Sequence, residues 1–170
     1  VCYADRPFFI NTNRGYTQMA MTKEKIATMA MLRIGGSPIT DFAANTREAQ
    51  VVSNLYDTVK ESLFNYAQWN FATKKTALAQ LNETIVDKNY SFVFSLPSNT
   101  VRILGILDSN GSYYTDYSVE NNKIYTTFSG AILQYLELQD EDEFPAFFTE
   151  CLVAKLAYES AEALTGQGST

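Results

Sequence analysis

Trp69-Asn70-Phe71-Ala72-Thr73-Lys74-Lys75-Thr76-Ala77-Leu78 carries the only tryptophan of the chain and follows directly on a long amphipathic segment. Trp and Phe bury large areas with fixed geometry, so this pair is expected to lock a helix exit against the core. Upstream, Val52, Leu55, Val59, Leu63 and Tyr66 recur at intervals of three and four and form one apolar stripe. Asn45 with Glu48 three residues on has capping-box spacing, which predicts a helix over about 46–69. Arg47, Glu48, Asp57, Lys60 and Glu61 fall on its other side, a pattern that reads as a solvated or subunit-facing surface.

N-terminal to this helix, Ile26, Met29, Ala30 and Arg33-Ile34 follow one side of a helix over about 22–34. Thr22 is placed to cap it, and Gly35-Gly36 followed by Pro38 ends it sharply. Residues 1–20 hold no sustained period and read as an N-terminal arm, either docked on a neighbour or loosely held. C-terminal to Trp69, the stretch to Leu81 is open to helix or strand. From Tyr90 the period becomes two: Tyr90, Phe92, Phe94 and Leu96 alternate with Ser91, Val93 and Ser95. Val101 to Leu107 makes a further strand, Asp108-Ser109-Asn110-Gly111 a turn, and Asn121-Asn122 the tip of a hairpin. Ile132 to Leu138 closes a strand-rich insertion over about 90–138.

Asp140-Glu141-Asp142-Glu143 and Pro145 make a good helix N-terminus, because acidic groups complement the macrodipole there. The helix expected over about 145–165 carries Phe148, Leu152, Leu156 and Leu164, with Cys151 on its apolar side. Gly166 ends it, and 167–170 is a polar tail. The expected fold class is α+β: a helical bundle of long amphipathic helices with an inserted small antiparallel sheet of four to five strands, one domain over 21–166.

The 170 residues are 46% hydrophobic and 19% charged, a globular composition with enough chain for one well-cored domain. No apolar run approaches the roughly 20 residues of a membrane-spanning helix, and no charged-then-apolar leader marks secretion, so synthesis in the cytoplasm is expected. A net charge of −6 argues against nonspecific nucleic-acid binding, which depends on Lys and Arg displacing phosphate counterions. It suits a passage through which DNA slides without sticking, and equally it suits ordinary solubility.

The chain has no histidine, which removes the commonest general base, the commonest zinc ligand and every Ser-His or Cys-His pair. Two cysteines, Cys2 and Cys151, do not make a disulfide framework. No cofactor or metal is expected: there is no C-x-x-C or EF-hand pattern, and Gly35-Gly36 follows a helix and lacks the Lys-Ser/Thr ending of a phosphate loop. Only Asp140 to Glu150 offers the paired carboxylates of a glycosidase, and a helix-capping role is the commoner use of such a run. Lys74-Lys75 beside Trp69 and Phe71 is a weak nucleic-acid footprint in an acidic protein. Tyr113, Tyr114 and Tyr117 divide equally between an interface and a packed sheet face, with alternation setting Tyr113 and Tyr117 on one side.

Arg33-Ile34-Gly35 with Pro38-Ile39, then Trp69-Asn70-Phe71-Ala72, Leu96-Pro97 with Val101-Arg102, and Leu164-Thr165-Gly166 follow one another in an order and spacing that resemble the head-to-tail adaptor proteins of short-tailed phages, the tail tubular protein A family. The likeness runs from about Ile26 to Gly166. It implies a structural virion protein at the head-tail junction, without enzymatic turnover. Its implied partners are a homo-oligomeric ring of twelve copies, the portal protein, a tail tube or nozzle protein, and double-stranded DNA passing through without specific binding. On this reading the long second helix and the last helix meet in the ring, with Lys60, Glu61 and Glu159 at the contacts. Tyr113 and Tyr117 lie on the tail-facing sheet, and Gln167 in the tail reaches the portal. The rival reading is a virion-associated cell-wall hydrolase using an acidic pair near Asp140 to Glu150; a third is a helical interaction module outside any virus.

Overall fold

The computed structural model describes residues 21–165, so the arm over 1–20 (with Cys2), Gly166 and the polar tail with Gln167 lie outside the described residues. Three helices and eight strands follow in the order α1 (Lys23–Arg33), α2 (Arg47–Tyr66), β1 (Thr73–Ala77), β2 (Gln80–Leu81), β3 (Phe92–Ser95), β4 (Thr100–Leu107), β5 (Tyr113–Tyr114), β6 (Tyr117–Glu120), β7 (Lys123–Thr126), β8 (Ile132–Glu137) and α3 (Ala146–Thr165). Single 3-10 turns over Asn70–Ala72 and Glu141–Glu143 lead into β1 and α3.

The strands form two antiparallel sheets of four, ordered β1-β8-β4-β5 and β2-β3-β7-β6. This corrects the expected helical bundle with one small inserted sheet. Strand begins at Thr73, well before residue 90, and only Leu78 and Ala79 separate β1 in the first sheet from β2 in the second. The Leu78 N–H donates to the Ala131 carbonyl across this step. Phe94 and Ile124 of the second sheet pack with Ile106, Leu133 and Tyr135 of the first to make a core between the sheets. The opposite side of the first sheet, through Leu136, Val101 and Leu104, joins the core of the three helices. The architecture is therefore helices on a sheet on a sheet. β8 is buried on both faces, with Leu133 and Tyr135 in the core between the sheets and Leu136 in the helical core.

Local signals fare better. Thr22 accepts from the Lys25 N–H as the α1 cap. Gly35 (φ 76°) ends that helix in a Schellman motif, its N–H donating to Leu32 O and that of Gly36 to Met31 O. For α2 the cap is Thr46, one residue past Asn45, accepting from the Ala49 N–H. Asn121 and Asn122 both take positive φ (49° and 62°), the paired left-handed geometry of a tight hairpin between β6 and β7. Asp108 Oδ1 accepts from the N–H groups of Asn110 and Ser112 to build the turn after β4.

The α2 helix stops at Tyr66, short of the 69 expected, and Trp69 folds back over its end. The indole Nε1–H donates to the Leu63 carbonyl at 2.9 Å, satisfying one of the four carbonyls a helix C-terminus leaves free. The Trp69 ring meets Phe148 of α3 edge-on (5.1 Å between centroids, 89°). Phe64, Phe71 and Phe144 close around Phe148 at 4.8, 5.1 and 4.7 Å. This cluster joins α2, the strand entry and α3. Phe148→Ala, removing its fully buried centre, is expected to cost about 3–5 kcal/mol in urea unfolding, whereas Trp69→Phe, which keeps a ring and loses the indole donor, costs about 1–2 kcal/mol.

Candidate interaction surface

The helix α1 buries Ile26, Ala27, Ala30 and Met31 against α3 and α2. Its apolar residues do not stop there. Met29 is half-buried and packs against the margin of that core, and Leu32 beside it is 59% exposed. The loop after α1 is pinned beside this face by Thr28, whose Oγ1 donates to the Ile39 carbonyl (2.8 Å) and accepts from the Ile39 N–H (3.0 Å). Two adjoining hollows result. One, of about 440 Å³, is lined by Met21, Thr28, Met29 and Ile39 with the stems of Glu24 and Lys25. The other, of about 400 Å³, lies between Met29, Leu32 and Arg33 of α1 and Thr149, Glu150 and Val153 of α3. Met29 walls both. An exposed leucine beside two adjoining hollows makes this margin of α1 a surface suited to cover by another protein.

The sequence-predicted contact residues do not gather on this surface. Lys60, expected on the solvated side of α2, is buried at 6% exposure, and this corrects that expectation. Its Nζ pairs with Glu141 Oε1 at 2.9 Å and lies over the Phe144 ring. The same oxygen accepts from the Tyr56 hydroxyl at 3.2 Å. Burial, with the Glu141 charge added to it, pushes the Tyr56 hydroxyl far above the usual phenol range, so it stays a donor. Glu61 is exposed one position on, at a small polar hollow with Asn65, Ser98, Asn99 and Thr100. Glu159 is half-buried on α3.

Tyr113 and Tyr117 belong to different sheets, on the edge strands β5 and β6, so alternation along one strand does not relate them. Tyr113 is exposed, and its hydroxyl donates to Gln134 Oε1 at 2.6 Å. Its ring crosses Gly105 so closely that a Cβ there would stand 2.8 Å from a ring carbon. Tyr117 packs against the inter-sheet core. Cys151, expected on the apolar side of α3, is exposed.

Lys74 pairs with Glu137 at the end of β8, and Asn99 and Gln139 also donate to that carboxylate. Burial acts to raise the Glu137 carboxyl, but the hydrogen bonds from Lys74, Gln139 and Asn99 and the Lys74 charge outweigh it and hold the carboxyl below its usual 4.5. Among the described residues no cluster of His, Cys, Asp or Glu is arranged to hold a metal ion, and no helix is long and apolar enough to cross a membrane.

No protein-family model matches the chain, and no curated protein matches it. Met29 packs against the helical core as its spacing with Ile26 and Ala30 predicts, and what the sequence reading missed is that Leu32 carries the apolar surface outward from it. The available signal was that Leu32 adds an apolar side chain beyond the stripe of Ile26, Met29 and Ala30.

Two outcomes follow from the buried charges. Lys60→Met strands Glu141 without its cation and is expected to lower unfolding stability by about 3–5 kcal/mol in urea melts. A carboxyl held low in the folded state stabilises above its unfolded value and loses that contribution as pH falls through the folded value. Glu137→Gln should therefore flatten the fall of thermal midpoint below about pH 4.5, and leave a smaller change at low pH than at neutral pH.

Proposed function

We propose that this protein is a structural connector of a short-tailed phage virion, forming a twelve-membered ring between portal and tail tube through which DNA passes. The ordered motifs from Arg33 to Gly166 suggest the family. The observation that carries the ring is the exposed margin of α1, where Leu32 is open to solvent and Met29 forms the shared wall of two hollows that a neighbouring copy would fill. A ring of identical subunits needs one surface of each copy to receive a different surface of the next. The net charge of −6 fits a channel that repels phosphate and lets DNA slide.

The rival hydrolase reading loses one of its acids. Glu141 is engaged by Lys60 and Tyr56 in a structural network, while Glu143 and Glu150 stand exposed. A glycosidase needs two carboxyls facing each other across a substrate cleft.

The test is affinity recovery from virus-producing cells followed by mass spectrometry. Portal and tail-tube proteins should be recovered with the wild-type chain in ring-like proportion. Leu32→Glu, at a mostly exposed position, should reduce that recovery by about tenfold or more while the thermal midpoint is retained. Glu143→Gln with Glu150→Gln should leave it unchanged. Recovery of neither protein, or cell-wall digestion lost in the double Gln variant, overturns the connector reading.

A further inference from the structure

On the second sheet, a hollow of about 360 Å³ is lined by Thr84, Val86, Asp87, Tyr90, Glu120 and Tyr125. Its walls come from three places: the loop between β2 and β3, the β6–β7 hairpin and the face of β7. Tyr90 and Tyr125 tilt toward each other, with 6.3 Å between ring centroids and 44° between planes. The loop is fixed from Asp87 onward. Asp87 Oδ1 accepts from the Asn89 N–H, the Tyr90 N–H donates to the Asp87 carbonyl, and the Ser91 N–H donates to Thr126 O. Glu120 accepts from Ser118 through Oε1, which leaves its second oxygen for another donor. The neighbouring lysine, Lys123, is already paired with Glu83 at 2.5 Å. Val86 stands at the rim, 93% exposed.

Two aromatic faces, two carboxylates and an apolar rim in a hollow of this size match one chemical group. A guanidinium is flat, stacks on tyrosine rings, and donates in a fork that carboxylates accept, while its methylene stem lies along an apolar side chain. A lysine ammonium is more strongly hydrated and lacks the planar face. We propose that this hollow receives an arginine side chain of a partner protein, with Asp87 and Glu120 accepting its N–H groups and Tyr90 and Tyr125 holding its plane. The negative field at the site is visible in Tyr90 itself, whose hydroxyl is pushed up by burial and then by the charges of Asp116, Asp87 and Glu120. The proposal does not depend on the connector reading, because it rests on this hollow alone.

The probe is Nα-acetyl-arginine amide, titrated into the full chain with the tyrosine ring resonances followed by NMR, and Nα-acetyl-citrulline amide as the neutral shape-matched control. Arginine should shift the Tyr90 and Tyr125 signals saturably at millimolar concentration, and citrulline should not. Glu120→Gln, on an exposed hairpin position, should weaken binding several-fold, and Asp87→Asn with Glu120→Gln by about tenfold, with the thermal midpoint of both variants retained. The proposal is overturned if arginine gives no saturable shift, if citrulline reproduces it, or if the double variant binds as the wild type does.

Discussion

The cluster of rings around Phe148 is the contact on which the rest of the molecule depends. Trp69 both ends α2, by taking up the Leu63 carbonyl, and turns the chain toward β1 while its ring rests on α3. Phe64 of α2, Phe71 of the turn before β1 and Phe144 on the approach to α3 meet at the same side chain. Because aromatic packing has a fixed geometry, this joint sets the direction in which the strands leave the helices. Everything after Thr73 is built from that exit.

The first sheet then works as a divider. One face of β8 and β4 meets the helices and the other meets the second sheet, so two cores share one layer of backbone. A central layer of this kind has little room for charge, and the two paired carboxylates sit at its border. Glu137 lies at the end of β8 under Lys74, Asn99 and Gln139, and Glu141 lies just beyond, between Lys60 and Tyr56. These two carboxylates tie β8 and the entry to α3 to the elements around them.

The exposed chemistry is divided between the two ends of the molecule. The helical end offers an apolar face along Met29 and Leu32, suited to a large, shape-driven contact. The end formed by the second sheet offers an acidic, aromatic hollow, suited to a single basic anchor. Large apolar faces favour permanent neighbours, and small charged sockets favour orientation and partner choice.

What could be read from the sequence was local. The stripe of α2, the stop at Gly35, the Asp108 turn and the Asn121-Asn122 hairpin each depend on residues within a turn or two of one another, so spacing and residue type suffice. What only the tertiary structure decided were contacts between residues far apart in the chain. Lys60 looks like a surface lysine by its period, yet a carboxylate 81 residues later draws it inside. The stretch from Thr73 to Leu81 has no clear period because it crosses from one sheet to the other, and its strands exist only through partners in β8 and β3. Two sheets, in place of one, follow from that crossing. Tyr113 and Tyr117, four residues apart, part company for the same kind of reason: the chain changes sheet between them, and alternation along a strand holds only while the strand continues.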